Sequence, residues 1–186
     1  CGNGRLFGLL KDKEIFYEGI DFSKKLVEFA RDKHGDHFFV KNLLDLTDYP
    51  NNSFNVIFCV AALQHIPSDF FRKKVIEEFA RILVKGGYLL MTNWNMLHQE
   101  KYKPYMRKYK LKRFFGGSQL DKGDVLFPWK ARKGTVLRYY HAFSEEEIED
   151  LLHGTKFKLI ENYYVKKGGR VDKKSGFNLV TVAKCY

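Results

Sequence analysis

No apolar run in this 186-residue chain approaches the roughly 20 residues that span a bilayer. No basic leader followed by a short apolar core stands at its start. The expectation is a cytoplasmic chain with no membrane partner. Cysteine is scarce: Cys1, Cys59 and Cys185 are odd in number, far apart and free of C-x-x-C spacing, which argues against a disulfide framework and against a zinc site. No metal is expected. Internal repeats and low-complexity tracts are lacking as well. Acidic residues are in deficit, 22 against 33 Lys and Arg, and the net charge of +11 favours polyanionic partners.

What is present fits a globular protein, with 45% hydrophobic and 16% aromatic residues. One domain over 1–186 is expected, in three parts: 1–94, a basic stretch 95–143, and 144–186. Between Asn95 and Arg138, twelve Lys/Arg stand against three Asp/Glu, so this quarter of the chain carries +9 of the +11. A solvated face is the simpler reading. Yet in "KYKPYMRKYKLKRFF" (101–115) the basic residues alternate with aromatics, a composition suited to RNA whose bases stack while its phosphates are held.

Strand and helix patterns alternate along the first half. "IFYEGI" (15–20) ends at Asp21 and leads into "FSKKLVEFARDKHG", where Leu26, Phe29, Ala30 and Lys33 fall on helical spacing, Ser23 offers an N-cap and Gly35 a stop. "HFFVKNLLDL" follows as an extended run, and "SFNVIFCVAAL" as an apolar strand of the kind buried on both faces. A helix is predicted over Ser68–Val84, with Val75, Ile76, Phe79, Ala80 and Leu83 on one side, stopped by "KGG" (85–87) before the strand "YLLMTNW". Such alternation predicts βαβ units and a parallel sheet whose ligand site lies at the carboxyl ends of the strands. "SEEEIEDLL" is a capping box, Ser144 with Glu147. Two last strands, "FKLIENYYV" and "FNLVTVAKCY", joined by a solvated "KKGGRVDKKSG" loop, predict an antiparallel finish.

"CGNGRL" opens the chain. Gly-x-Gly before a helix brings backbone amides close to a ligand, and an acid at the end of the next strand can accept both ribose hydroxyls. Gly2 and Gly4, followed by Asp21 in "YEGID", therefore predict a nucleotide or nucleoside site.

In this order the residues resemble class I S-adenosylmethionine-dependent methyltransferases, whose first motif reads like "LDLGCGNGRL". The resemblance implies an α/β, Rossmann-like, doubly wound and mostly parallel sheet with a C-terminal antiparallel strand pair. It also implies S-adenosyl-L-methionine as cofactor. Gly2 and Gly4 would belong to its loop, Asp21 with Phe22 beside it to its ribose, and Asn42 and Leu43 to its adenine. Cys59, Val60 and Ala61 would line its methionine end. Asn42 and Asn55 depart from the Asp usual at both places; the Asn42 carbonyl oxygen can still face the adenine amine. "DVLFPWK" (124–130) and "RYYHAFSEEEIEDLL" (138–152) narrow the resemblance to tRNA wobble-uridine methyltransferases that esterify a carboxymethyl group, and to their bacterial and archaeal relatives. Asn178-Leu179 departs from the Asn-Trp pair of the eukaryotic enzymes. tRNA is the implied partner, with a small zinc-binding activator subunit as in some relatives. The family pattern also makes "CGNGRL" the tail of a cofactor loop. A fragment lacking its first strand is expected, with a gap or forced pairing between second and fourth strands and inefficient catalysis by itself.

Methyl transfer from a sulfonium is an in-line displacement, so alignment and exclusion of water are the main requirements. A carboxylate acceptor is already ionised and needs no base, in keeping with the lack of an evident acid/base pair. Arg138 is the expected substrate orienter, since a guanidinium holds a carboxylate or phosphate bidentately. For a hydroxyl or ring-nitrogen acceptor, His65, Tyr139 or His141 would take the proton. Each has a structural alternative: His65 as a turn cap, His141 beside Tyr139 and Tyr140 as a packed corner, and Trp129 as a core anchor. Other readings stay open: a small-molecule or lipid methyltransferase with the basic segment as a lid, a nicotinamide dehydrogenase, and a non-catalytic RNA-binding module.

Overall fold

The computed structural model describes residues 1–131 and 134–186. Arg132 and Lys133, two of the basic residues counted above, lie outside the described residues. The chain folds as two compact units, Cys1–Pro50 and Asn51–Tyr186.

The first unit holds α1 (Phe7–Leu10), β1 (Gly19–Asp21), α2 (Lys24–His34) and β2 (Phe38–Val40). β1 and β2 pair in parallel, Gly19 opposite Phe38 and Asp21 opposite Val40, with α2 as their crossover. Val27, Ala30 and Phe38 form the core, and Phe7 and Tyr17 close over it. The buried stripe of α2 is therefore Val27–Ala30; Leu26 and Phe29, expected on the inner face, are 39% and 58% exposed. Gly35 ends the helix as expected, at φ +86°. Ser23 stands at the N-cap position without a side-chain capping bond, and its own amide donates to Asp21 Oδ1 at 3.0 Å.

The second unit is built on a five-stranded sheet. β3 (Phe54–Val60) leads through a 3₁₀ turn, Leu63–His65, into α3 (Asp69–Ile82) and β4 (Leu83–Trp94). α4 (Lys103–Phe114), β5 (Asp124–Ala131), β6 (Gly134–His141) and α5 (Glu145–Leu152) follow, then β7 (Phe157–Lys166), β8 (Gly169–Val171) and β9 (Asn178–Cys185). The sheet order is β3-β4-β9-β7-β8, while β5 and β6 form a separate antiparallel ribbon. Among the described residues of this unit only β3–β4 is parallel, so the α/β sheet with its antiparallel finish is mixed.

Three local expectations change. α3 ends at Ile82, ahead of "KGG", and the strand starts at once. The register passes from Phe54 opposite Leu83 to Val56 opposite Tyr88, so Lys85–Gly87 forms an irregularity inside β4. Gly86 lies at φ +85°, and a Cβ on Gly87 would meet the Asn55 and Val84 carbonyls at 2.9 Å. β3 is not buried on both faces: Cys59 is 4% exposed, whereas Val56, Phe58 and Val60, alternating with it, are 41%, 41% and 55% exposed. β3 is an edge strand, and only its Ile57–Cys59 face meets the unit's core. Finally, the loop between the last two long strands contains β8, which pairs with β7.

Candidate active site

In the first unit, Gly4 is a backbone cradle. It sits at φ +77°, and a Cβ there would meet His34 at 2.8 Å and Phe38 at 3.0 Å, so only glycine fits. Gly2, at φ +57°, donates its amide to Asp21 Oδ2 at 2.8 Å. Burial pushes the Asp21 carboxyl up, but hydrogen bonds from the Ser23 and Gly2 amides pull the other way, and the group stands below the usual carboxylate range. An ionised acceptor at a strand end, facing a glycine turn, fits the ribose of a nucleoside cofactor. Phe22 is 82% exposed beside it. Asn42 is exposed, with Oδ1 accepting the Leu44 amide at 3.0 Å, and Leu43 is half-buried.

In the second unit the parallel pair β3–β4 ends at Ala61, whose amide donates to the Thr92 carbonyl at 2.8 Å. Ala61 holds φ +49°, a left-handed conformation uncommon for a residue with a Cβ. Val60 is exposed, while burial pushes the Cys59 thiol up to about 11, so it stays protonated and inert at neutral pH. Gln64, fully buried, accepts the Trp94 amide at 2.6 Å and so ties the turn after β3 to the end of β4. Its Nε2 and both polar side-chain atoms of buried Asn93 have no partner among the described residues, which leaves hydrogen-bonding capacity at this edge.

The β5–β6 ribbon brings the remaining candidates here. His65 Nδ1 lies 3.2 Å from the Tyr139 carbonyl, and its ring is 4.7 Å from that of Tyr140. A carbonyl only accepts, so Nδ1 carries the proton and Nε2 the lone pair. Desolvation and the Arg138 charge hold His65 below its ordinary value against the pull of that carbonyl, so it is neutral at pH 7. Exposed Arg138 lies over the Trp129 ring at 4.6 Å. Trp94 stacks on Tyr140 at 5.0 Å and lies 6.1 Å from Trp129.

His141 and Tyr139 have other employment. His141 is fully buried, with Nδ1 at 2.6 Å from Asp124 Oδ1 and Nε2 at 2.5 Å from Glu147 Oε1. Burial alone would lower its pKa; the two carboxylates reverse this and hold it above the ordinary value, so both nitrogens donate. The Tyr139 hydroxyl donates to Asp124 at 2.6 Å and accepts from Arg72 Nη1 at 3.1 Å. Burial, then the bond to Asp124, raises it well above its usual range. Neither group has a proton-accepting atom directed at a substrate. Sequence reasoning missed Arg72 and Asp124 as partners here. Arg72 is 2% exposed, three residues before Val75 and four before Ile76 on the buried stripe of α3; that spacing is the signal.

The basic stretch divides in two. Tyr102 and Tyr109, expected among the aromatics available for stacking, are 4% and 6% exposed and pack with Met96, Val125 and Tyr140. Tyr105 meets Phe127 edge-on at 4.7 Å. The alternation is thus helical amphipathicity, aromatics inward on the ribbon and lysines outward. Phe114 and Phe115 remain 81% and 78% exposed.

A family model described as "Methyltransferase domain" matches residues 1–91. A provisionally named methyltransferase of Encephalitozoon cuniculi is 29% identical over 87% of this chain and 69% of its own length. A tRNA (carboxymethyluridine(34)-5-O)-methyltransferase of Arabidopsis thaliana is 32% identical over 59% of this chain, but this spans only 27% of the plant protein. Among solved structures, a SAM-dependent methyltransferase of Methanosarcina mazei superposes with TM-score 0.76 at 20% identity, covering 100% of this chain and 89% of that one. Among the described residues no helix is long and apolar enough to cross a membrane.

Proposed function

We propose that the chain is a class I S-adenosylmethionine-dependent methyltransferase, a reading supported by the methyltransferase-domain match over residues 1–91 and by the fold, and that it methylates a nucleoside of tRNA, with the carboxymethyl group of a wobble uridine as acceptor. The observation that carries this reading is Arg138: an exposed guanidinium 4.6 Å over the Trp129 ring, on the ribbon that contacts the turn after β3, where among the described residues His65 is the one dedicated proton acceptor. A carboxylate acceptor needs a cation and orientation, not a base. The tRNA methyltransferase named for the plant relative supports the same substrate class.

The cofactor, when bound, supplies an electrophilic methyl on a sulfonium. Gly2, Gly4, Asp21, Phe22, Asn42 and Leu43 are proposed for its nucleoside end and the Cys59–Ala61 backbone for its methionine end. Arg138 orients the acceptor, Trp129 and Trp94 exclude water beside it, and His65 Nε2 is the proton acceptor for any nucleophile other than a carboxylate. His141, Tyr139, Asp124 and Arg72 position the ribbon. The reading includes a small zinc-binding activator subunit as partner.

A second reading has one observation in its favour: with Tyr102 and Tyr109 buried, α4 covers the ribbon as a lid over a small-molecule acceptor would. Incubation with methyl-labelled cofactor and either total tRNA or a deproteinised metabolite extract separates the two. Label in the RNA fraction supports the proposal, and label confined to the metabolites removes it.

A further inference from the structure

The carboxyl edge of the five-stranded sheet carries a second feature, on the side of the segment after β4 that faces the last strands. β4 and β7 both end there and β9 begins there, with Asn178 opposite both Trp94 and Val165. The chain leaving β4 and the loop before β9 enclose a groove of about 670 Å³. Its wall is fixed: buried Asn95 donates to the carbonyls of Lys173 at 2.7 Å and Gly176 at 2.9 Å, and Gln99 donates to Gly176 at 2.9 Å. A Cβ on Gly176 would lie 2.6 Å from that of Tyr164, so the loop is pressed onto β7.

Four lysines line the groove, Lys101, Lys103, Lys166 and Lys174, against one acid, Glu100, which pairs with Lys103. Between them stands Phe177, 47% exposed, with Lys166 Nζ 5.2 Å from its ring centre. Cations gathered around a reachable flat ring match a phosphate chain that carries planar apolar groups. A free phosphate has no use for the ring, and a paired base in a duplex cannot reach it.

We propose that this groove holds a single-stranded RNA segment, with phosphates on the lysines and a base stacked on Phe177. The inference rests on the tRNA reading above. It adds a contact at the start of β9, two strand positions or about 10 Å along the sheet edge from the end of β3.

The test is fluorescence anisotropy of the full chain with a labelled single-stranded oligouridylate across salt concentrations, with a duplex of equal length and uridine monophosphate as competitors. Removing two phosphate contacts in Lys166→Ala/Lys174→Ala should reduce the slope of log affinity against log salt by about 1.4. Phe177→Ala should weaken binding about 5- to 150-fold. Phe177→Leu, which keeps the bulk but not the ring, should lose nearly as much at unchanged thermal stability. An unchanged slope in the lysine variant, a duplex that competes as well as the single strand, or the mononucleotide competing at equal concentration overturns the proposal. Unaltered binding in these variants with tRNA methylation intact removes the groove and leaves the acceptor. Groove-dependent binding without transfer to any tRNA does the reverse.

Discussion

Asp124→Asn removes one charge from a buried set that is otherwise balanced: Asp124 and Glu147 against Arg72 and a protonated His141. Asp124 is 2% exposed and accepts from His141, Tyr139 and the Asp121 amide at 2.6, 2.6 and 3.0 Å, with Arg72 at 3.8 Å. The amide leaves two buried cations facing one carboxylate, and breaking a buried pair on one side costs about 3–5 kcal/mol. At roughly 2–4 °C per kcal/mol for a chain of this size, the midpoint of thermal unfolding should fall by about 10 °C. Glu147 is the control. Its side chain is 33% exposed, water takes over part of its role, and Glu147→Gln should cost about 1–2 kcal/mol. The sign of the pH dependence follows from the two shifts. Burial opposes both, but bonding wins, leaving Asp124 below its ordinary value and His141 above. Asp124 therefore stabilises above the ordinary carboxylate value and loses this as pH falls through its lowered one. His141 stabilises fully below its ordinary value and loses this as pH rises through its raised one. The difference between wild type and Asp124→Asn should be largest between the ordinary Asp value, near 4, and the ordinary His value, near 6.5, shrinking below the first and, above the second, as pH rises toward the raised His141 value. Denaturant unfolding at several pH values measures it. A loss under about 1 kcal/mol, or a Glu147→Gln cost equal to that of Asp124→Asn, would refute the reasoning.

Three further outcomes follow from the same geometry. Arg138→Ala should lower kcat/KM for tRNA at least about tenfold, the scale of a lost charged contact, while unfolding shifts by under about 0.5 kcal/mol because the side chain is exposed; Arg138→Lys should restore only part of the rate. Asp21→Asn should weaken S-adenosylmethionine binding by about tenfold in calorimetry, with the wild type losing affinity only below the ordinary Asp range, since Asp21 is held low. Gly4→Ala, at φ +77° against Phe38 and His34, should destabilise the first unit by about 1–3 kcal/mol, read as faster amide exchange in β1 and β2.

Local patterns made much of this architecture legible. The N-cap half of the box at Ser144 is formed, with the Glu147 amide on Ser144 Oγ at 3.1 Å, because that bond depends on four consecutive residues, while the Glu147 carboxylate turns to His141. Gly35 and Asp21 are likewise read from their neighbours. What escaped depends on partners distant in sequence. Nothing near His141 tells that its nitrogens meet acids 17 residues before and 6 after it, and so a corner residue looked available for chemistry. The "DVLFPWK" and "RYYH" segments stood out as signatures, but their pairing as one ribbon, Asp124 opposite His141, is a register that neither states alone. Aromatics between lysines read as a stacking surface until the helical period sent Tyr102 and Tyr109 inward.

The central claim, a carboxymethyl acceptor on tRNA, is tested most directly by nucleoside mass spectrometry of tRNA labelled from methyl-S-adenosylmethionine, before and after mild alkali. The account predicts label in a uridine ester that alkali releases as methanol. Label that survives alkali on a base nitrogen or ribose oxygen would contradict it.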